Sequence, residues 1–317
     1  MGAGFDHDRP RFGAMFRRER DPDQLVDFAR ASEAMGLDEI WIVEDCFWAG
    51  GLTAVAASLA VTEHLHVGMG IAPAVARNAA ITAMEMSGLS RMFPGRFVAG
   101  FGHGVASWMR QIGALPPSQL AALDETVDVV RRLLDGEHLD VAGRHVQLDD
   151  VQLVFPPTTR PPIVVGVTGP KGIDVTARVA DGLLLPEGAS PEYVRAALER
   201  LGRPRGQAPA CVVYVLFAVD DDAERARAVV ADSVDEFAPG AVDERLAKLG
   251  TVVEVPATER IDRYAVAGTV DDCVRGVRTL IDAGATSVVV VPRHDDPLDQ
   301  DAQIRRFADE IVPRVLG

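Results

Sequence analysis

The sequence predicts a (β/α)8 TIM barrel, and three observations carry that prediction. Short β-branched or aromatic runs alternate with longer amphipathic stretches almost from end to end, which implies parallel strands joined by right-handed crossovers. Eight such units follow one another, and eight favour closure into a barrel over an open sheet. No repeat, low-complexity tract or linker divides the 317 residues, and barrels of that size occur as one unit. The expected organisation is a flexible N-terminal segment, residues 1–10, followed by a single barrel domain, residues 11–317.

The elements follow in order. The first strand is expected at Phe12–Phe16. Asp21 as cap and Pro22 at the first helical position open a helix that runs to Met35 and stops at Gly36. The second strand, Glu39–Val43, leads to the alanine-rich stretch Gly51–Thr62, read as a buried helix. The third strand is Leu65–Ile71, and the helix Asn78–Met92 sets Ile81, Met84, Leu89 and Met92 broadly on one side. The fourth strand, Phe97–Phe101, precedes a helix at Ser118–Leu134 that repeats Leu120, Leu123, Val127, Val130 and Leu134 before Gly136. Residues Glu137–Pro162 break the rhythm. They contain the hairpin signal Asp140–Val141–Ala142–Gly143–Arg144 and read as an insertion after strand four.

The alternation resumes with strand Ile163–Val167, helix Gly172–Ala180, strand Gly182–Leu185, helix Pro191–Leu201, strand Cys211–Val219 and helix Asp222–Phe237. Residues Pro239–Gly268 carry mixed signals and read as a second insertion, before strand eight. Helix Asp271–Ala283, strand Ser287–Val291 and helix Asp299–Leu316 complete the chain.

Composition narrows the function. With 32 basic against 47 acidic residues the net charge is −15, a surface that repels nucleic acid and anionic membrane. No apolar run approaches the roughly 20 residues of a membrane span. The polar, glycine-containing start lacks the apolar core of a signal peptide. Three scattered cysteines, Cys46, Cys211 and Cys273, argue against a disulfide framework or a cysteine-rich metal site and fit a reducing compartment. A cytoplasmic protein with a small-molecule substrate is expected.

Active sites of such barrels lie where strands lead into helices. Strand two exits through Glu44–Asp45–Cys46–Phe47–Trp48, two carboxylates beside an aromatic wall, suited to proton handling or to rim salt bridges. Strand three exits through Gly68–Met69–Gly70–Ile71–Ala72–Pro73, where glycines mark a bulge, a ligand's close approach or tight barrel packing. Strand four ends in Gly100–Phe101–Gly102–His103–Gly104, with His103 lining the site. Strand five runs through Thr168–Gly169–Pro170–Lys171–Gly172 into a helix whose first amides form an anion cradle, unless they are simply a well-formed helix start. After strand eight, Arg293 can meet a phosphate, whereas His294–Asp295–Asp296 lacks partners at metal-ligand spacing and reads as a solvated loop. His64, His66, His138 and His145 are read as structural, and no metal site is expected.

These anchors together resemble the luciferase-like monooxygenase superfamily, especially its branch using the deazaflavin coenzyme F420. The matching pieces are Gly36–Leu37–Asp38–Glu39–Ile40–Trp41 into Glu44–Asp45, then Gly68 to Pro73, Arg77–Asn78, Gly95–Arg96–Phe97 and Gly100 to Gly104. Further on come Trp108 with Gly113, Pro161–Pro162–Ile163, Gly169–Pro170–Lys171, Ala180–Asp181–Gly182, Ala267–Gly268–Thr269 and Ala283–Gly284.

The resemblance implies a cofactor ring across the strand ends, with Gly70–Ile71–Ala72 beneath it and a non-proline cis bond at Gly70–Ile71. It implies Gly102, His103 and Gly104 along the ring and tail, and Thr168, Gly169, Pro170 and Lys171 at the phosphate end. Glu44, Asp45 and His103 are the implied proton donors or acceptors, in that order of preference. Val105 stands where sugar-phosphate dehydrogenases of this branch carry glutamate, and Asp45 where they carry histidine, which argues against that substrate. Pro186–Glu187–Gly188–Ala189 stands where they supply hydroxyl and lysine for a phosphate, leaving Lys171 or Arg293 as substitutes.

The leading expectation is an F420-dependent reductase or dehydrogenase, homodimeric through the methionine-bearing early helices and served by a separate cofactor-reducing enzyme. An FMN-dependent two-component monooxygenase and a non-catalytic flavin-binding protein are the competing readings.

Overall fold

The structure is a computed structural model that describes residues 9–293 and 299–317. Among the described residues the strands are β1 (Arg11–Phe16), β2 (Glu39–Ile42), β3 (His66–Met69), β4 (Ala72–Pro73), β5 (Phe97–Gly102) and β6 (Leu139–Ala142). They continue with β7 (Gln147–Val151), β8 (Ile163–Gly166), β9 (Gly182–Leu185), β10 (Ala210–Val219), β11 (Ala265–Gly268) and β12 (Ser287–Val291). Eight of these, β1, β2, β3, β5, β8, β9, β10 and β12, pair in parallel in that order. Contacts of β1 with β12 and of β9 with β10 close the ring. The eight expected strands are therefore the barrel, and the fold class is as the alternation of elements predicts.

Side chains alternate along each strand because the strand period is two. On β12, Val289 and Val291 point into the barrel while Val288 and Val290 pack outward against helices. On β10, Val212 and Tyr214 point inward, and Cys211, Val213 and Phe217 outward. Inside, the Trp41 and Tyr214 rings meet edge to face with centroids 5.8 Å apart.

The helices of the outer layer are α1 (Leu25–Ala34), α2 (Gly51–Ala60), α3 (Ala79–Met92), α4 (Ala106–Gln111), α5 (Gln119–Leu134), α6 (Pro170–Val179) and α7 (Pro191–Leu201). After them come α8 (Ala223–Phe237), α9 (Glu244–Lys248), α10 (Arg260–Tyr264) and α11 (Val270–Asp282), with a last helix from Gln300 that passes through a π turn at Phe307–Ile311. The alanine-rich α2 is not buried all round. Only Gly51, Val55, Ser58 and Leu59 are fully covered, because the helix packs one face on the sheet. No helix of the described residues is long and apolar enough to cross a membrane.

Both insertions pack on the barrel. The first forms the β6–β7 hairpin, whose turn is docked by the Glu125 carboxylate of α5, which accepts from the amides of His145 and Val146 at 2.7 and 3.1 Å. The second holds α9, α10 and β11, and β11 pairs with the half of β10 that projects beyond the barrel, Leu216–Val219. Residues 1–8 of the expected flexible segment, and His294–Asp295–Asp296, lie outside the described residues.

The closed end of the barrel contains a buried polar cluster. Glu39 is fully covered, accepts hydrogen bonds from Trp41 Nε1 at 2.7 Å and from Ser287 Oγ, and lies 4.0 Å from Arg11. Burial, reinforced by Arg11, pushes the nearby His66 imidazole down from 6.5 to about 4. The unfolded chain therefore binds the extra proton between those two pH values. The stability this neutral histidine contributes is complete above about pH 6.5 and is lost as pH falls toward 4, up to about 3 kcal/mol. Urea unfolding at pH 7 and pH 4.5 should show His66→Gln losing less stability than the parent protein across that interval. Equal losses would contradict the assignment.

Candidate active site

A cavity of about 710 Å³ opens at the C-terminal end of the barrel strands, the end where barrel sites are built. Its floor is set by the exit of β3. Gly70 follows Met69, the Gly70–Ile71 bond is cis, and the chain resumes as β4 against Phe101 and Gly102. A Cβ on Gly70 would come within 1.8 Å of Tyr214 Oη, so only glycine allows the backbone to pass over that ring. The Ile71 side chain then lies against Gly102 and Gly166, where added Cβ atoms would come within 2.9 and 3.0 Å of it. The result is an apolar ledge into the cavity, extended by Met15, Val43 and Leu184.

The opposite end is polar. Thr168, Gly169, Pro170, Lys171 and Gly172 line the cavity where α6 begins. Gly169 is the cap and makes no side-chain hydrogen bond, Pro170 occupies the first turn, and a Cβ on Gly169 would meet open space. The first amides of a helix have no partner within it and carry the positive end of its dipole. Tyr193 Oη donates to Thr168 O at 2.9 Å and holds the approach to this turn. Lys171 adds a cation.

Three sequence-derived candidates for proton handling have different surroundings. Asp45 lines the cavity and accepts from Arg18 Nη1 at 2.7 Å on the rim. His103 lines it too, its buried Nδ1 lacks a hydrogen-bond partner, and burial lowers its pKa, so the ring is neutral near pH 7. Glu44 does not belong with them. Both its oxygens are taken by Arg77, at 2.5 and 2.7 Å, and one also accepts from the Gly51 amide at 2.8 Å at the start of α2. It is a buried clamp between the β2 exit, α2 and the loop before α3, outside the cavity lining.

The other candidates lie around the cavity as follows. Ala72 is buried as the β4 partner of Phe101. Gly102 supports Ile71 from behind. Gly104 adopts φ +69°, and a Cβ there would meet Pro73 and Met109, so its role is to turn the chain. Arg293 faces α8, donating to Ser233 Oγ at 3.2 Å, and lines no part of the cavity. Thus Gly70, Ile71, Asp45, His103 and the 168–171 turn line one cavity, whereas Glu44, Ala72, Gly102, Gly104 and Arg293 are not part of its lining.

Glu187 and Tyr214 both line the cavity; the sequence marks Glu187 only as a departure from a phosphate-binding position and does not single out Tyr214. Their signal was present but faint: a carboxylate just beyond the apolar run Gly182–Leu185, and a tyrosine at an inward position of a ten-residue strand. Among the described residues no cluster of histidine, cysteine, aspartate and glutamate could hold a metal ion.

The ion pairs at the β2 exit predict two different outcomes. Glu44→Ala should lower unfolding free energy by about 3 kcal/mol, because it strands Arg77 and frees the α2 start. Asp45→Asn, which breaks a rim pair, should cost less than about 1 kcal/mol. Denaturant titration of both variants checks the contrast, and equal costs would refute it.

Comparison with known proteins agrees with this architecture. Residues 8–287 match a family model described as luciferase-like monooxygenase. The chain is 26% identical to a 5,10-methylenetetrahydromethanopterin reductase of Methanolobus tindarius, over 88% of this chain and 93% of that one. It is also 26% identical to an F420-dependent glucose-6-phosphate dehydrogenase of Nakamurella multipartita, over 96% of each. An F420-dependent secondary alcohol dehydrogenase solved with an F420-acetone adduct superposes with a TM-score of 0.80 at 20% identity, covering 97% of this chain and 99% of that one.

Proposed function

The chain belongs to the luciferase-like monooxygenase family, and from that premise we propose that it is a coenzyme F420-dependent oxidoreductase, a reductase or dehydrogenase of a small organic substrate. One observation supports this most: a single cavity joins the apolar Ile71 ledge to the cationic first turn of α6. A flat ring with a phosphate-bearing tail needs that pairing of surfaces.

The residues present fit the group. Ile71, Met15, Val43 and Leu184 offer an apolar bed for the ring and exclude water from the reacting face. His103, with its partnerless buried Nδ1, offers a hydrogen bond along one edge. The amides of Lys171 and Gly172 and the Lys171 ammonium would hold its phosphate. When bound, the deazaflavin supplies a carbon that gives or takes hydride and reacts poorly with oxygen. The protein's own part is to orient a substrate above the ledge and to hold a proton beside it.

Fluorescence titration with coenzyme F420 and with FMN tests the proposal. F420 should bind at micromolar or lower concentration and FMN much more weakly. Lys171→Ala should weaken F420 by about tenfold, the size of one charge-assisted hydrogen bond, and the loss should shrink at high salt. Preference for FMN, with oxygen consumption when reduced FMN is supplied, would assign a two-component monooxygenase instead. Tight binding without hydride transfer to any substrate would assign a carrier.

We extend the proposal to a cytoplasmic homodimer served by a separate cofactor-reducing enzyme. Supporting the dimer, α3 exposes Ile81, Met84 and Met92 on one stripe, and Val154 and Phe155 stand beside it, with Phe155 O accepting from Ser87 Oγ at 2.5 Å. A patch of this kind on a helix suits a second copy of the same helix. Sedimentation analysis should give a dimer, and Met84→Glu a monomer. A monomeric parent protein would remove the dimer from the proposal.

A further inference from the structure

Glu187 is a carboxylate in this cavity without a structural task. It follows β9, between Pro186 and Gly188, and lines the cavity together with Gly70, Ile71, Asp45 and Tyr214. Among the described residues no side chain donates a hydrogen bond to it, and the one donor acting on it is its own backbone amide. This contrasts with Glu44, closed off by Arg77 and Gly51, and with Glu39, whose Oε1 accepts from both Trp41 and Ser287.

The loop that carries Glu187 is fixed from outside by the second insertion. Arg245 of α9 donates to Pro186 O at 3.3 Å and to Phe237 O at 3.2 Å. Ser190 Oγ donates to the buried Asp243 carboxylate at 2.6 Å, and the same hydroxyl caps α7 by accepting from the Tyr193 amide. Gly188, at φ +74°, turns the chain between these two anchors. The backbone on either side is pinned while the carboxyl itself stays open to the cavity. That is the arrangement of a group positioned for chemistry.

We propose that the Glu187 carboxyl gives and takes the proton that accompanies hydride transfer in this cavity, an inference that rests on the oxidoreductase reading above. As a substrate carbon of a C=O, C=N or conjugated C=C group accepts hydride, the electron pair of the broken π bond moves to the far atom, directly or through the conjugated system. Glu187 delivers its proton to the atom that receives that pair. The carboxylate then regains a proton from solvent, so one proton is consumed per hydride transferred. In the dehydrogenase direction Glu187 takes the hydroxyl proton as hydride leaves carbon.

The charges around Glu187 set its readiness. Burial raises its pKa, and Asp45 from the β2 exit adds to that, while Arg17 from the end of β1 and Arg245 from α9 pull it back. Tyr214 of β10 faces it with its own hydroxyl held protonated by burial and by the Glu187 charge. The rim adds Arg18, Glu19, His103 and Lys171. A carboxyl raised in this way keeps its proton nearer neutral pH, where a general acid is needed.

Carboxyl-region infrared titration of the cofactor-free protein reads the proton directly. The parent protein should show a carboxyl that keeps its proton above the usual carboxylate range, a band that Glu187→Gln removes and Asp45→Asn retains, whereas any band from buried Glu39 should persist in both variants. Glu187→Gln should bind F420 within about threefold of the parent yet reduce cyclohexenone and a panel of simple ketones with reduced F420 about 100-fold more slowly, a general acid's usual share. Glu187→Asp should restore part of the rate.

An unchanged infrared spectrum in Glu187→Gln, or an undiminished rate, would overturn the proposal while leaving F420 binding intact. If the parent protein reduces none of the panel, the infrared comparison alone decides for or against Glu187. Failure of the parent protein to bind F420 would instead overturn the oxidoreductase reading, and the infrared comparison would still decide whether Glu187 holds the proton.

Discussion

The architecture of the site depends on how closely the backbone leaving β3 approaches its neighbours. Gly70 passes over Tyr214 Oη with no room for a Cβ, and Ile71 rests on Gly102 and Gly166. Gly100 lies equally close to Met69 O, where a Cβ would come within 2.0 Å. These absences of side chain let strands three, four and five draw together and push one isoleucine above the barrel. The ledge, the cavity over it and the distance from there to the α6 turn all follow from that close packing.

Much of this was legible in the sequence, for physical reasons. The eight barrel strands stand out because each is a short apolar run, most of them β-branched or aromatic, set between helices with starts such as Asp21–Pro22 and Ser190–Pro191. The α6 cradle stands out because glycine followed by proline marks a helix start. The exit of β3 was less clear. Residues 65–71 look like one strand by composition, and only tertiary packing breaks the chain at Gly70 and restarts it at Ala72. The second insertion was opaque because its short helices and β11 are stabilised by β10 and by ion pairs such as Arg263 with Asp243 rather than by local pattern.

The carboxylates show the same limit. Glu44, Asp45 and Glu187 all sit just past apolar strands, and sequence alone cannot rank them. Their environments separate them. A guanidinium 33 residues away closes Glu44, and a rim arginine shares Asp45 with solvent. Among the described residues no side chain claims Glu187. Charged groups buried with partners stabilise or specify structure, whereas one left open at a cavity is available for chemistry.

The most direct test of this account is a crystal structure of the protein with coenzyme F420 bound. The account predicts the ring over Ile71, with the Glu187 carboxyl facing the substrate space above it. It also predicts the cofactor phosphate at the amides of Lys171 and Gly172. A ring bound away from Ile71, or a phosphate held elsewhere than at the start of α6, would contradict it.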